Sequence, residues 1–481
     1  MRRLLRTVAA AGVAVLAVTG CTVEVDPGVE NPGDTVSRPL TVGTLGRVST
    51  TDPAAATDTG STVYALNVFQ RLLTVEIGSE ALKPDAAGDC FYIDPLTYTC
   101  GIRKNLSFTN GNALTASDVK FSIERAQRLN VPGSSAQLLD SIDEMIVPAD
   151  DAWRIDFKLK HHDRALGFAL ASPAASIVDE DAYEPDELWP QDEQPVSSGP
   201  FYATVATLDE LQLMRYPRYS GANGAALPEV TLKTYTTPEL LRRAIATHTV
   251  DVLWRVPAGM VPEQSYVAHP LTGATVQRLL WNPDSPRRDD AALRAWVRDA
   301  TTPLRTLAAP VPHGVRFSAD TFRTGGEKPA GTGVGGELTL GFDTRLPGQA
   351  DLAAQVEAAL EPEVRVRLVG DDPTADVRLS VNQAWTNTVM AWLQPYVENP
   401  LPGREREIRE LELAYRRATG LPEAQEAARR LQEAVAADAT VVPLTQGDEV
   451  FWTVPAVTIN DQNQNWLGPC WQLGLWGFDR A

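Results

Sequence analysis

From Leu40 onward the chain alternates short apolar, β-branched runs with amphipathic stretches. LTVGTL, starting at Leu40, predicts a strand, Thr51-Asp52-Pro53 a turn, and residues 61–73 a helix. Aromatic and β-branched runs on either side of Asp94-Pro95 predict a hairpin. Residues 106–112 lead into a second helix, for which Thr115 is a good N-cap with Asp118 three residues on, close to a capping box. Val119, Phe121, Ile123 and Ala126 give that helix a mixed apolar pattern. Farther along, LDELQLMRY, EVTLKTYT and TVDVLW read as strands, with a helix at 238–247 between the last two, a β-α-β arrangement. ELTLGFD, a helix at 350–360, VRVRLV, two charged helices at 404–418 and 422–436, and TVVPLTQ follow. The pattern is that of an α/β protein with mixed sheets and at least two lobes.

Two stretches interrupt it. Residues 178–198 hold eight acidic residues, three prolines and no basic ones, and predict a solvated loop between sub-regions. They lack the regular spacing of a calcium loop. The glycine-rich segment 325–336 precedes a strand, whereas a phosphate cradle precedes a helix N-terminus, so it reads as a linker.

The N-terminus has a different character. Arg2, Arg3 and Arg6 are followed by fourteen uncharged residues, Thr7 to Gly20, that end in small residues before Cys21. This is the layout of a secretory leader, and its apolar run is shorter than the roughly 17–25 residues a spanning helix needs. Val18-Thr19-Gly20-Cys21 resembles the bacterial lipobox, which implies lipidation of Cys21 and a protein held on the extracytoplasmic face of the cell membrane. Residues 22–38 read as a flexible tether. In such an oxidising compartment Cys90 and Cys100 could face each other across the hairpin, a staple contributing roughly 2–3 kcal/mol. Cys470, between Trp466 and Trp471, reads as a buried thiol.

Composition narrows the function classes. At 481 residues and roughly 150 residues per domain the chain suggests about three units or two large lobes, and 43% hydrophobic with 22% charged residues is ordinary for a globular protein. The 43 basic against 62 acidic residues give −19; without the three leader arginines the balance is 40 against 62, or −22. With no basic cluster, so acidic a chain is a poor partner for nucleic acid. None of the five histidines has zinc-helix spacing, no G-x-S-x-G elbow occurs, and the S-x-x-K at Ser117–Lys120 lacks its partner motifs, so no catalytic residues, metal site or cofactor are expected. The eleven tryptophans, many in loops (Trp254, Trp281, Trp385, Trp392, Trp452, Trp466, Trp471 and Trp476), make a solute cleft plausible without locating it.

The stretch Tyr98–Arg125, YTCGIRKNLSFTNGNALTASDVKFSIER, carries Ile102-Arg103, Gly111, Leu114-Thr115-Ala116-Ser117-Asp118-Val119, Phe121, Ser122 and Arg125. It resembles the extracellular solute-binding proteins of family 5, the lipid-anchored oligopeptide, dipeptide and nickel receptors of ABC importers. Thr51-Asp52-Pro53, Asn67–Leu73, Ser198-Gly199-Pro200-Phe201-Tyr202, Arg215–Tyr219 and Val250-Asp251-Val252 extend the likeness. The tail 466–478 is similar to that of actinobacterial members.

The resemblance implies a two-lobed periplasmic-binding fold of type II with a hinge. Lobe I would comprise 39–256 and 441–481, with an inserted subdomain at 61–189, and lobe II 257–440. Most motif residues would hold the fold. The implied role is a monomeric, non-enzymatic receptor that delivers a peptide or similar polar solute to an ABC permease. The family's peptide binders carry a W-x-x-D-Y stretch whose aspartate pairs with the ligand's α-amino group; Trp392–Tyr396 matches it, with Pro395 in the aspartate's place. Either Glu398 reaches the amine, or the ligand has none there, or peptide binding is lost. The expected contacts are Arg47, Trp385, Trp392, Tyr396 and Glu398. The alternative is a degenerate member of the fold acting as a surface scaffold or sensor without transport.

Overall fold

β1 (Leu40–Thr44) is almost wholly buried because it lies inside a sheet, with parallel neighbours on both sides. The computed structural model describes residues 38–46, 48–75, 81–191, 193–330, 334–382, 388–459 and 473–478. The leader and Cys21, Arg47, Trp385, and Cys470 with its flanking Trp466 and Trp471 lie outside them. So do residues 22–37 of the expected tether.

After β1 come α1 (Thr59–Val68), β2 (Leu73–Val75) and β3 (Leu82–Pro84). β4 (Ala87–Asp94), β5 (Thr97–Ile102), α2 (Ala116–Leu129), β6 (Ile142–Ile146), β7 (Arg154–Leu159) and α3 (Leu166–Ala169) follow. β4, β5, β7 and β6 make a four-stranded sheet, in that order, and α2 packs Val119, Ile123 and Ala126 into the same apolar core as its inner face. The capping box is present: Asp118 accepts from the Thr115 amide at 2.8 Å. Cys90 and Cys100 are cross-strand partners joined by a disulfide.

The chain then runs through β8 (Phe201–Ala206), β9 (Glu210–Arg215), β10 (Glu229–Thr234), α4 (Pro238–Ala246), β11 (Val252–Trp254) and β12 (Val267–Trp281). Next come α5 (Ala291–Ala300), β13 (Glu337–Phe342), α6 (Gln349–Leu360), β14 (Arg365–Gly370), β15 (Val377–Asn382), α7 (Val389–Glu398), α8 (Glu405–Arg417) and α9 (Leu421–Asp438). β16 (Val441–Thr453), β17 (Val457–Thr458) and β18 (Gly477–Phe478) end it. The main sheet has ten strands in the order β14-β13-β15-β12-β16-β11-β1-β10-β9-β8. The expected β-α-β unit is β10-α4-β11, whose two strands flank β1.

β12 and β16 link the two halves of this sheet. Val267–Leu271 pairs with Glu449–Thr453 in one half and Thr275–Leu280 with Val441–Gly447 in the other, across an irregularity between Leu271 and Thr275 where Gly273 has φ +66°.

Two expectations change. The helix expected over 61–73 occupies Thr59–Val68. It starts early because Asp58 caps it, accepting from the Ser61 amide at 2.9 Å, and it ends where the Gly199 amide takes the Val68 carbonyl at 2.8 Å. The acidic segment is only partly solvated. Asp179 is buried and accepts from the side-chain amides of Asn110 (2.6 Å) and Asn112 (2.9 Å), while Arg125 reaches the Glu184 and Glu187 carbonyls.

Arg125 also pins two of the sequence motifs together. Its guanidinium meets both carboxylate oxygens of Asp52, at 3.1 and 2.6 Å, with both side chains buried. A second buried network ties the segment after β7 to α8: Arg416 contacts Asp163 and Glu412, each at 2.7 Å.

Candidate functional site

The C-terminal ends of β1 and β11 and the start of α1 face β15, the end of β12 and α7 across a cavity of about 870 Å³. Such a volume lies toward the upper end for small-molecule sites. Residues from Asn130 to Gln137, after α2, complete the lining. Gln394 on α7 donates to the Ser134 carbonyl, joining that segment to the helix.

On the β1–β11 side, Asp58 lines the cavity with its charge already engaged, since it accepts from the Ser49 amide (3.2 Å) and the Ser61 hydroxyl (2.6 Å) besides capping α1. Arg255 follows β11 in the left-handed region, φ 56°, which an L-residue adopts at a cost. Its Nε lies 3.4 Å from Oε1 of the buried Glu449, which also accepts from Trp254 Nε1 at 3.0 Å. Burial pushes the Glu449 carboxyl up, and Arg255 and Trp254 pull it back. Among the described residues Arg255 Nη2, which is buried, has no hydrogen-bond partner.

On the other side Trp392, in α7, is 1% exposed and lines the cavity. Its carbonyl accepts from Arg278 Nη1 at 2.7 Å, and the same guanidinium lies 5.5 Å from its ring centroid. Arg278 is wholly buried; burial alone brings its pKa down to about 10, and its Nε and Nη2 have no partner among the described residues. The indole Nε1 atoms of Trp281 and Trp392 and the Nε of Arg288 are likewise buried and without a partner among the described residues, and all three residues line the cavity.

Of the expected contacts, Trp392 and Glu398 stand at the cavity, as does Pro395. Glu398 bonds with Gln394, and burial, reinforced by Asp140 and Glu412, raises its pKa to about 7. Tyr396 is not part of the lining: its ring is buried and its hydroxyl donates to Asp438 at 2.7 Å. Arg47 and Trp385 lie outside the described residues. Trp254 and Trp281 also line the cavity, whereas Trp476 is core. Arg255 and Arg288 escaped the sequence reading, since isolated arginines after a strand or in a short 3-10 turn carry no pattern. Among the described residues no group of three or more His, Cys, Asp or Glu side chains is placed to hold a metal, and no helix is long and apolar enough to cross a membrane.

Comparison with known proteins bears on this geometry. The "HTH-type transcriptional regulator SgrR" of Salmonella choleraesuis (strain SC-B67) is 25% identical over 327 residues, covering 66% of this chain and 54% of the regulator. The chain thus spans about half the length of that curated relative. In fold it is similar to the periplasmic binding protein DppA of Helicobacter pylori in complex with peptide STSA (TM-score 0.78, 18% identity, 92% of this chain and 99% of that one). It is equally similar to AgaA of A. tumefaciens R10 in complex with agropinic acid (TM-score 0.78, 20% identity, 92% and 99%). These likenesses make the fold a two-lobed periplasmic-binding one. The family model "Bacterial extracellular solute-binding proteins, family 5 Middle" matches residues 82–295, the span that holds the α2 motif and its Arg125, so the middle of the chain is similar to the family 5 solute-binding proteins.

Proposed function

We propose that this chain is the substrate-binding protein of an ABC importer, anchored through a lipid on Cys21, which holds a peptide or similar polar solute between two lobes and passes it to a permease. The observation that carries the reading is the cavity, walled by both halves of one sheet whose halves are linked by β12 and β16. Two connecting strands with an irregularity at 271–275 suit a hinge. Residues 39–256 with 441–481 form lobe I in this reading, with 61–189 inserted, and 257–440 form lobe II. Trp392 and Glu398 contact the solute, joined by Arg47 and Trp385, while Tyr396 supports α7 from behind.

The test is titration of the folded protein with a peptide library, followed by tryptophan fluorescence, together with mass spectrometry of any solute released on denaturation. A saturable response or a copurified solute supports the reading; neither, in a folded sample, refutes it. The likeness to a transcriptional regulator favours a second reading, a sensor that binds without transport. Uptake assays separate the two, because deleting a receptor abolishes uptake of the bound solute and deleting a sensor does not.

A further inference from the structure

The segment 61–189 is bonded to both sides of the cavity. Toward β1, Arg125 pairs with the buried Asp52, whose carboxylate also takes the Trp189 amide at 2.7 Å, and the Gly199 amide donates to the Val68 carbonyl. Toward α8, Asp163 meets Arg416 at 2.7 Å with side chains 0% and 3% exposed, and the Arg164 amide donates to the Arg416 carbonyl at 3.0 Å. The Arg164 guanidinium lies 5.5 Å from the ring centroids of both Phe317 and Tyr415, and Gln394 of α7 donates to the Ser134 carbonyl farther along the same junction. The two attachments differ in packing. On the β1 side the Arg125 guanidinium is buried and also bonded to the Glu184 and Glu187 carbonyls. The junction with α7 and α8 instead encloses a second cavity, of about 230 Å³, lined by Asp140 from the segment and by Glu398, Arg409, Glu412 and Arg416 from the two helices. A void forfeits the dispersion contacts of a close-packed core, and carboxylates on both faces of the junction oppose the attraction of the Asp163–Arg416 pair.

Rotation at 271–275 moves 257–440 against the strands around β1, so the segment cannot keep both attachments through it. Resting on the receptor reading above, we propose that 61–189 is a clasp: in the solute-free protein it holds the two lobes together around the cavity through Asp163 and Arg416, and it lets go of α8 before solute enters or leaves. The segment stays with lobe I because that attachment is the closely packed one and both ends of the segment run into lobe I; the junction with the void is the one that yields. Solute and clasp then favour the same closed arrangement, so the clasp tightens binding and slows exchange.

The test is hydrogen exchange at single-residue resolution on the full chain, denatured and refolded to strip any solute, with small-angle X-ray scattering alongside. In the wild type the Arg164 amide, which donates across the junction, should exchange on the order of a hundredfold slower than in an unfolded chain, yet faster than the Ile123 amide inside α2, because the clasp opens without unfolding. Asp163→Asn and Arg416→Gln should each speed exchange at Arg164 about tenfold or more, after correction for the neighbouring substitution, leave Ile123 unchanged, and enlarge the radius of gyration. Equal rates at Arg164 and Ile123 in the wild type overturn the inference, since the pair then parts only on unfolding, and this comparison decides even if neither variant folds. So does an unprotected Arg164 amide, a pair of folded variants with either exchange or radius unaltered, or variants in which Ile123 speeds up as much as Arg164. None of these measurements uses a solute, so their failure leaves the receptor reading to the titration that tests it.

Discussion

Removing the Arg125 guanidinium should unfold the region where the second helix meets the turn after the first strand. Asp52 is 1% exposed and would keep its bonds from the Ala54 amide (2.9 Å) and the Trp189 amide (2.7 Å) but lose its countercharge. Two carbonyls, of Glu184 and Glu187, would lose donors at 2.8 and 2.6 Å. Stranding one partner of a buried pair costs about 3–5 kcal/mol, far more than the roughly 0–1 kcal/mol of an exposed pair. Arg125→Met is therefore expected to lower the urea midpoint by on the order of 1 M for a chain of this size, followed by tryptophan fluorescence with far-ultraviolet circular dichroism as a second probe. The double variant Asp52→Asn/Arg125→Met should be less destabilised than the two single effects added, with a coupling of about 2 kcal/mol or more. A single-variant cost below about 1 kcal/mol, or strict additivity, would refute the reasoning.

A methyl group on Gly199 would sit 2.4 Å from the carbonyl carbon and 2.5 Å from the oxygen of Val68, backbone atoms held in α1, so Gly199→Ala should cost about 1–3 kcal/mol in denaturant titration; a neutral result would mean the contact relaxes freely. Glu398, with its pKa raised to about 7 from an ordinary value of 4.5, binds its proton more tightly folded than unfolded. Stability from this group is thus fully present below about pH 4.5 and declines as pH rises through about 7. Glu398→Gln should flatten that decline in melting temperature between pH 5 and 8, and a parallel curve for the variant would exclude Glu398 as its source.

Local signals in the sequence transferred well wherever local chemistry decides the outcome. Thr115 and Asp118 cap a helix by themselves, and Cys90 and Cys100 need only the hairpin between them. What escaped depends on neighbours distant in the chain. β12 is 15 residues long, yet Pro270, Gly273 and the irregular register beside them break the alternation that announces a strand; its pairing with Glu449–Thr453 overrides the local pattern. Asp179 looks like one more loop carboxylate until Asn110 and Asn112 meet it. The family stretch points to Trp392 and Glu398, which stand at the cavity, and not to the partnerless donors, because a missing partner is a property of packing alone.

The position of β16 has a consequence for the order of assembly. Its residues, 441–453, are among the last strands in the chain, yet it lies between β12 and β11 near the middle of the ten-stranded sheet. Until those residues emerge, β11 and β12 each present an unpaired edge, the kind that recruits strands from other chains. A chain cut short before residue 441 would consist of two half-sheets with raw borders, aggregation-prone however well each half had folded. For this fold the seam at the centre is the last to be sewn.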